Sequence, residues 1–322
     1  MKISAHALVV TLALGLILSG ATGSLAQDSQ PAAPAKPQAD PGKYPSGKVA
    51  AESVKVEHKA LQAGEARTEA GTLDLEMEIV LPGQPVMTQA MTKNFERTLT
   101  LREVDSEGKA VQLGVEFTKQ SEVMEGTDPS GAVQRQERGK ELAGKAFSVE
   151  RQEDGTVVYS DAKGAPVEDF AAKRELEQSG RSVFGELGLG PAVAKAELKP
   201  GQSVDIDPKN MKVLMEMPGD DGMEVSIQEF SFRGTRATPS GKAAVFKVIC
   251  KLEPSAEAPQ GGPRTRMEIG GEILISVEGG RVVGIELAGT LEFMPPPAGA
   301  GGPSFEGKGV LRVSRTTTIK LP

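Results

Sequence analysis

The sequence predicts a mainly β protein of the α+β kind: antiparallel sheets of long amphipathic strands, arranged as a duplicated β-meander or a half-barrel, with one short central helix. Three observations carry this. Apolar residues alternate with polar ones at period two over long runs, which puts one set of side chains on each face of a strand. Tight-turn residues separate the runs. A single stretch near the middle drops the alternation and is rich in helix formers instead.

The alternating runs start with Leu73, Leu75, Met77, Ile79 and Leu81, set against Thr72, Asp74, Glu76 and Glu78 on the other face. Phe95, Leu99 and Leu101 then lead into the turn Asp105-Ser106-Glu107-Gly108, after which Val111, Leu113, Val115 and Phe117 alternate again, the pattern of a hairpin. A second hairpin is expected where Ala146 to Arg151 and Thr156 to Ser160 flank Glu153-Asp154-Gly155, because an Asp-Gly pair takes the positive φ angles of a tight reversal. Val167 to Ser179 carries Phe170, Ala171 and Leu176 among charges and reads as a short amphipathic helix ended by Gly180. The following RSVFGELGLGPAVAKAELKPGQ is rich in Gly and Pro and reads as a connector.

Strands resume beyond it. Ala244, Phe246, Val248, Cys250 and Leu252 share a face opposite Lys247 and Lys251, and Met267 to Phe293 forms a long hairpin reversing at Gly279-Gly280. Leu311, Val313, Ile319 and Leu321 mark a terminal strand. Gly108-Lys109-Ala110 and Gly241-Lys242-Ala243 each follow a turn and open a strand, and Gly144 and Gly271 each precede a Val-bearing hairpin, which suggests an internal repeat.

The N-terminus is a different kind of segment. Lys2 precedes an apolar run from Leu8 to Leu18, and Ser24-Leu25-Ala26 has the small residues of a cleavage site, so residues 1–26 read as an export signal cut after Ala26. The run is shorter than the roughly 20 residues a membrane-spanning helix needs. Residues 27–48 contain Pro31, Pro34, Pro37, Pro41 and Pro45 and little that can be buried, as in a disordered linker. The expected organisation is therefore 1–26 signal peptide, 27–48 Pro/Ala-rich linker, 49–166 first antiparallel β unit, 167–203 helix and connector, and 204–322 second antiparallel β unit. The expected location is the periplasm or the extracellular space, with no membrane-spanning segment after cleavage.

Removing the signal leaves 36 basic and 44 acidic side chains, a formal charge of −8. That surplus argues against a nucleic-acid partner, which needs clustered Lys and Arg to displace counterions. A single cysteine excludes an internal disulfide, so packing alone must hold the exported fold.

Chemistry is limited by inventory. His58 is the only histidine left after cleavage, so no multi-histidine metal site can form, and a lone His in VKVEHKALQ reads as a surface residue. Cys250 falls on the apolar side of its strand and reads as core. Ser106 to Lys109 and Ser160 to Lys163 fit Ser-x-x-Lys in expected turns, without the companion motifs of a serine acyl-enzyme. Gly185, Gly188 and Gly190 reverse the dinucleotide fingerprint, and no βαβ unit surrounds them. Asp205, Asp207 and Asn210 lack the Gly and distal Glu of a calcium loop, with Lys209 among them, and Gly219-Asp220-Asp221-Gly222 reads as a turn. Paired carboxylates on a sugar are disfavoured by the absence of Trp and the presence of only Tyr44 and Tyr159. No catalytic, metal or cofactor-binding residue is assigned, no cofactor is expected, and the ligand-binding residues are left open.

Long amphipathic strands, one short helix and an export signal together resemble, in layout over Val49 to Pro322, the antiparallel half-barrels of periplasmic lipoprotein carriers and other exported bacterial β-proteins. The resemblance implies a sheet wrapped around a helix with acyl chains on its concave face, and it transfers no functional residues. The expected function is that of a non-catalytic envelope protein binding an apolar ligand or a partner protein on one sheet face. The alternatives are a structural or interaction module without a small-molecule ligand, built on exposed strand edges or an apolar surface patch, and, less favoured, a carboxylate-based hydrolase with two converging acids and a raised pKa.

Overall fold

The computed structural model describes residues 48–128, 130–184, 189–214, 223–255, 264–295 and 306–322. The expected signal peptide, the linker up to Gly47, Gly185, Gly188 and the Gly219 to Gly222 turn lie outside the described residues.

The chain is mostly strand. β1 (Val54–Lys55) is short, and β2 (Ala66–Val80), β3 (Met87–Val104) and β4 (Ala110–Thr127) are long. β5 (Val133–Arg138), β6 (Ala146–Arg151) and β7 (Val157–Asp161) follow, then helices α1 (Phe170–Phe184) and α2 (Leu189–Val193), β8 (Glu197–Leu198) and α3 (Pro208–Leu214). The chain closes with β9 (Met223–Thr238), β10 (Gly241–Pro254), β11 (Arg264–Ser276), β12 (Val282–Met294) and β13 (Glu306–Lys320).

All long strands belong to one antiparallel sheet of 11 strands, in the order β7-β6-β4-β3-β2-β13-β12-β11-β10-β9, with β5 also on β4. The two strand groups are each a meander, and they join where the first long strand meets the last: Ala66 pairs with Lys320 and Val80 with Glu306. The sheet does not close, since its terminal strands β7 and β9 do not pair with each other. The Gly-Lys-Ala turns hold different places in the two meanders, between β3 and β4 in one and between β9 and β10 in the other. Gly144 lies in a loop while Gly271 sits inside β11, so these two glycines are not equivalent either.

The registers align side chains into rows across one face. One row runs Met91, Leu75, Leu311, Gly289, Ile269 and Cys250. The next runs Glu122, Lys93, Leu73, Val313, Leu287, Gly271 and Val248. The opposite face carries a polar set in the middle of the sheet, with surface pairs such as Lys308–Glu78 and Arg312–Glu76, and a small buried cluster of Ala243, Val245, Leu274 and Val283 on β10 to β12.

The helices lie on the apolar face. Ala172, Leu176 and Val183 of α1 pack with Leu99, Leu101, Leu113, Val115, Phe117 and Val149. Leu189 and Val193 of α2 and Met211 and Leu214 of α3 join Phe230, Phe232, Phe246 and Cys250 in a second cluster. Asp169 caps α1, its Oδ1 accepting from the Ala172 N–H at 2.7 Å, and Phe170 is exposed. Gly180 does not end this helix: it lies inside it, because the final turn carries Val183 into the core. The expected connector likewise holds α2 and β8, whose Leu189, Val193 and Leu198 are buried and so stabilised by tertiary packing in spite of neighbouring Gly and Pro.

Both terminal strands are covered along part of their open sides. Beside β9, the Ala50 N–H donates to Thr235 O at 2.8 Å, and the Phe232 N–H donates to Gln202 O at 2.8 Å. Beside β7, the chain folds back so that the Val167 N–H donates to Tyr159 O at 3.1 Å. Occupying the backbone groups of an edge in this way suppresses pairing with other chains.

Candidate functional site

The apolar face has two unlike regions. One is a patch of Leu75, Met77, Ile79, Met87, Leu291 and Phe293, flanked by half-buried Leu73, Leu81, Met91, Met267 and Leu311. Every one of these is a sheet residue or, for Leu81, the residue just after β2; none belongs to a described helix. Glycines shape the floor. A Cβ at Gly309 would stand 2.3 Å from Glu76 O and 3.0 Å from the Met77 side chain, and one at Gly307 would stand 3.0 Å from the Phe293 ring. The side chains of Met77 and Phe293 thus lie along the sheet over neighbouring glycines, which only a residue without Cβ permits.

The other region is a buried belt of charge next to that patch. Lys93 is directly opposite Leu73 in the β2–β3 register, and Arg315 is opposite Gly71, one alternation below Val313. α1 lies over the belt. Lys93 Nζ donates to both carboxylate oxygens of Glu175, at 2.9 and 2.7 Å, and to Gln178 Oε1 at 3.0 Å. Arg97 Nε donates to Glu69 at 2.9 Å and its Nη1 to Ser179 Oγ at 2.8 Å, while Arg174 Nη2 donates to Glu122 at 2.9 Å. Further along, Arg67 and Arg281 share Glu65, at 2.7 and 3.3 Å. Among the described residues, Arg67, Lys93, Arg97, Arg174 and Arg281 thus pair with Glu65, Glu69, Glu122 and Glu175, and the charge of Arg315 also acts on Glu69.

Electrostatics follow from these pairs. Burial alone pushes the Glu69 carboxyl up, but Arg97, Arg315 and Arg67 outweigh it and hold the pKa below the usual carboxylate range. Glu175 behaves alike, burial being overcome by Lys93, Arg174 and Arg97. Each described carboxylate with a displaced pKa is displaced downward. Such groups are ionised at neutral pH, held so by cations or by turn hydrogen bonds, unlike the general acid of a glycosidase.

The residues weighed in the sequence are scattered. His58 is exposed, beside Gly190 of α2 and the Gly280 turn. Cys250 is fully buried, and burial pushes its thiol up to about 12. Ser106 and Lys109 are in the β3–β4 turn; Ser160 lies within β7, not in a turn, and Lys163 lies just beyond it. Asp207 caps α3, its Oδ1 accepting from the Lys209 N–H at 2.9 Å, and Ile206 between the two aspartates is core. Tyr159 is half-buried in β7. Among the described residues, no three His, Cys, Asp or Glu side chains gather as a metal site, and no helix is long and apolar enough to cross a membrane.

The charged belt was the feature missed in the sequence. Its signal was present: Lys93 and Arg97 have the same odd parity as Met87, Met91, Leu99 and Leu101, so a charge on the apolar side of β3 marks a buried ion pair.

An open antiparallel sheet with three helices on one face is thus the class to which this chain belongs. No family model and no curated protein matches it. Among solved structures, it is similar to one described as lipid-protein interactions in lipovitellin, at 6% identity and a TM-score of 0.35, covering 81% of this chain and 25% of that one. The chain thus spans about a quarter of that neighbour. DynF from the dynemicin biosynthesis pathway of Micromonospora chersina matches at 10% identity and a TM-score of 0.20, over 90% of this chain and 94% of that one.

Proposed function

We propose that this is an exported, non-catalytic envelope protein that binds an apolar ligand on the helix-bearing face of its sheet. The observation that carries the reading is the Leu- and Met-rich patch of β2, β3, β12 and their neighbours, to which no described helix contributes. Ligand sites are mainly apolar with a few polar groups at one side, and here the charged belt supplies the polar side. The covered backbone of β7 and β9 weighs against a module that recruits partners by strand edges. The export signal supports an envelope location.

Titration of the protein lacking residues 1–26 with an environment-sensitive apolar dye, followed by displacement with a lipid extract, tests the reading. Saturable binding that is weakened by Met77→Asp or Leu291→Asp supports it. Absence of saturable binding to the folded protein overturns it.

A further inference from the structure

We infer that the tip of the β2–β3 hairpin, Val80 to Met87, is the surface by which the protein touches a lipid layer without net charge, and that its apolar ligand is taken up or given back there. This rests on the reading of the Leu- and Met-rich patch as an apolar-ligand site and names the surface from which that site is loaded.

Exposure and charge single out this tip. In the whole chain 25% of residues are charged, yet none is from Ile79 to Thr92. Val80 and Val86 are 44% and 58% exposed, with the residues from Pro82 to Pro85 exposed between them. Val133, 68% exposed at the start of β5, stands at the same end of the sheet: it pairs with Thr127, whose Oγ1 accepts from the Thr88 N–H at 2.9 Å. By contrast, the turn at the other end of β3, Asp105 to Lys109, carries Asp105, Glu107 and Lys109. Exposed apolar side chains grouped in this way mark a contact surface.

The chemistry of the tip fits lipid better than protein. Protein interfaces draw much of their binding energy from Trp, Tyr and Arg anchors, and residues 79–92 hold none of these. A backbone that leaves water must have few bare donors; Pro82 and Pro85 have no N–H, and the Gln84 N–H donates to Leu81 O at 3.1 Å. Asp128 in the neighbouring β4–β5 turn is a charge that must keep its water, so the contact is shallow. The net negative charge of the chain repels an anionic layer and leaves a neutral one accessible. Ile79 and Met87 pair at the base of the tip and belong to the apolar patch, which joins the tip to the patch with no charged residue between them along the chain.

The test uses phosphatidylcholine vesicles and the protein lacking residues 1–26, a deletion that removes no described residue and eliminates the apolar run at Leu8 to Leu18 as a cause of vesicle binding. Flotation with vesicles and the rate of transfer of a vesicle-borne apolar dye to the protein are measured. The unsubstituted protein is expected to float with the vesicles and to accept dye at a rate that rises with vesicle concentration. Val80→Asp with Val86→Asp should lower both readouts about tenfold or more while binding of the same dye added from solution is retained. Val158→Asp, at an exposed position on β7, should change neither. Serine at positions 80 and 86 serves the same comparison if the aspartates disturb folding. With dye binding from solution intact, absence of both flotation and vesicle-dependent transfer overturns the lipid contact and leaves the apolar site standing, and so does a folded double variant that keeps both. A concentration-dependent oligomer that the double variant loses, in a protein that ignores vesicles, assigns the tip to contact between copies and likewise overturns it. Absence of dye binding from solution overturns the apolar-ligand reading itself.

Discussion

Lys93 on β3 and Glu175 on α1 form an ion pair of 2.7 Å that fastens the helix to the sheet in the interior of the protein. Both ends are largely withdrawn from water, so neither is screened as a surface pair is.

Removing one end should therefore do more harm than removing both. Lys93→Met takes the nearest cation from the buried Glu175 carboxylate, leaving it only the 3.5 Å contact with Arg174 and the more distant Arg97, and is expected to cost about 3 kcal/mol, whereas adding Glu175→Leu should recover most of that loss. Denaturant unfolding of the two single variants and the double variant gives the coupling; equal destabilisation of single and double variants would contradict it.

Acid should loosen the same contacts. Glu69 and Glu175 have depressed pKa values in the folded protein, so the stability they contribute is complete above the unfolded carboxylate value of about 4.3 and is lost as pH falls through their folded values. The melting temperature should be level near neutrality and drop steeply below about pH 4.3. Glu175→Gln should start lower and fall less.

Cys250 should be silent until the protein opens. With its thiol pushed up to about 12 and its side chain fully buried, it is expected to resist a disulfide reagent in the native state and to react at once in denaturant. Rapid native labelling would show that the β9–β10 face is not packed as described.

Glycine positions separate space from conformation. Gly309→Ala drives a methyl to 2.3 Å from Glu76 O, a backbone atom that cannot swing away, and should cost about 1–3 kcal/mol. At Gly279 a Cβ meets nothing nearer than 3.5 Å, so Gly279→Ala should be close to neutral in the same unfolding experiment.

Period-two alternation made the strands legible where a strand has one face on the core and one toward solvent, as for Leu75, Met77 and Ile79 against Glu76 and Glu78; β10 and β11 are buried on both faces over much of their length. Alternation loses phase at irregular pairings. Between Leu101 and Val104 the β3–β4 register shifts twice, and Ala110 and Leu113 are the buried residues while Val111 is only half-buried. The short helices were hidden for another reason: α2 and α3 are too brief to show a period, and burial of Leu189, Val193, Met211 and Leu214 decides them. Asp207-Pro208, a capping residue before a proline, was the available sign for α3. The apolar patch was readable as strand faces but not as a patch, since Met77, Met87 and Leu291 come together only through register.

The pairing of β2 with β13 sets the timetable of folding. The middle seam of the sheet needs a strand from each end of the folded region, so a ribosome releases nearly the whole region before the two meanders can be stitched together. Until then, the facing rows of Leu75 and Leu311 lack each other, and the growing chain presents two half-sheets with sticky inner borders to whatever escorts it.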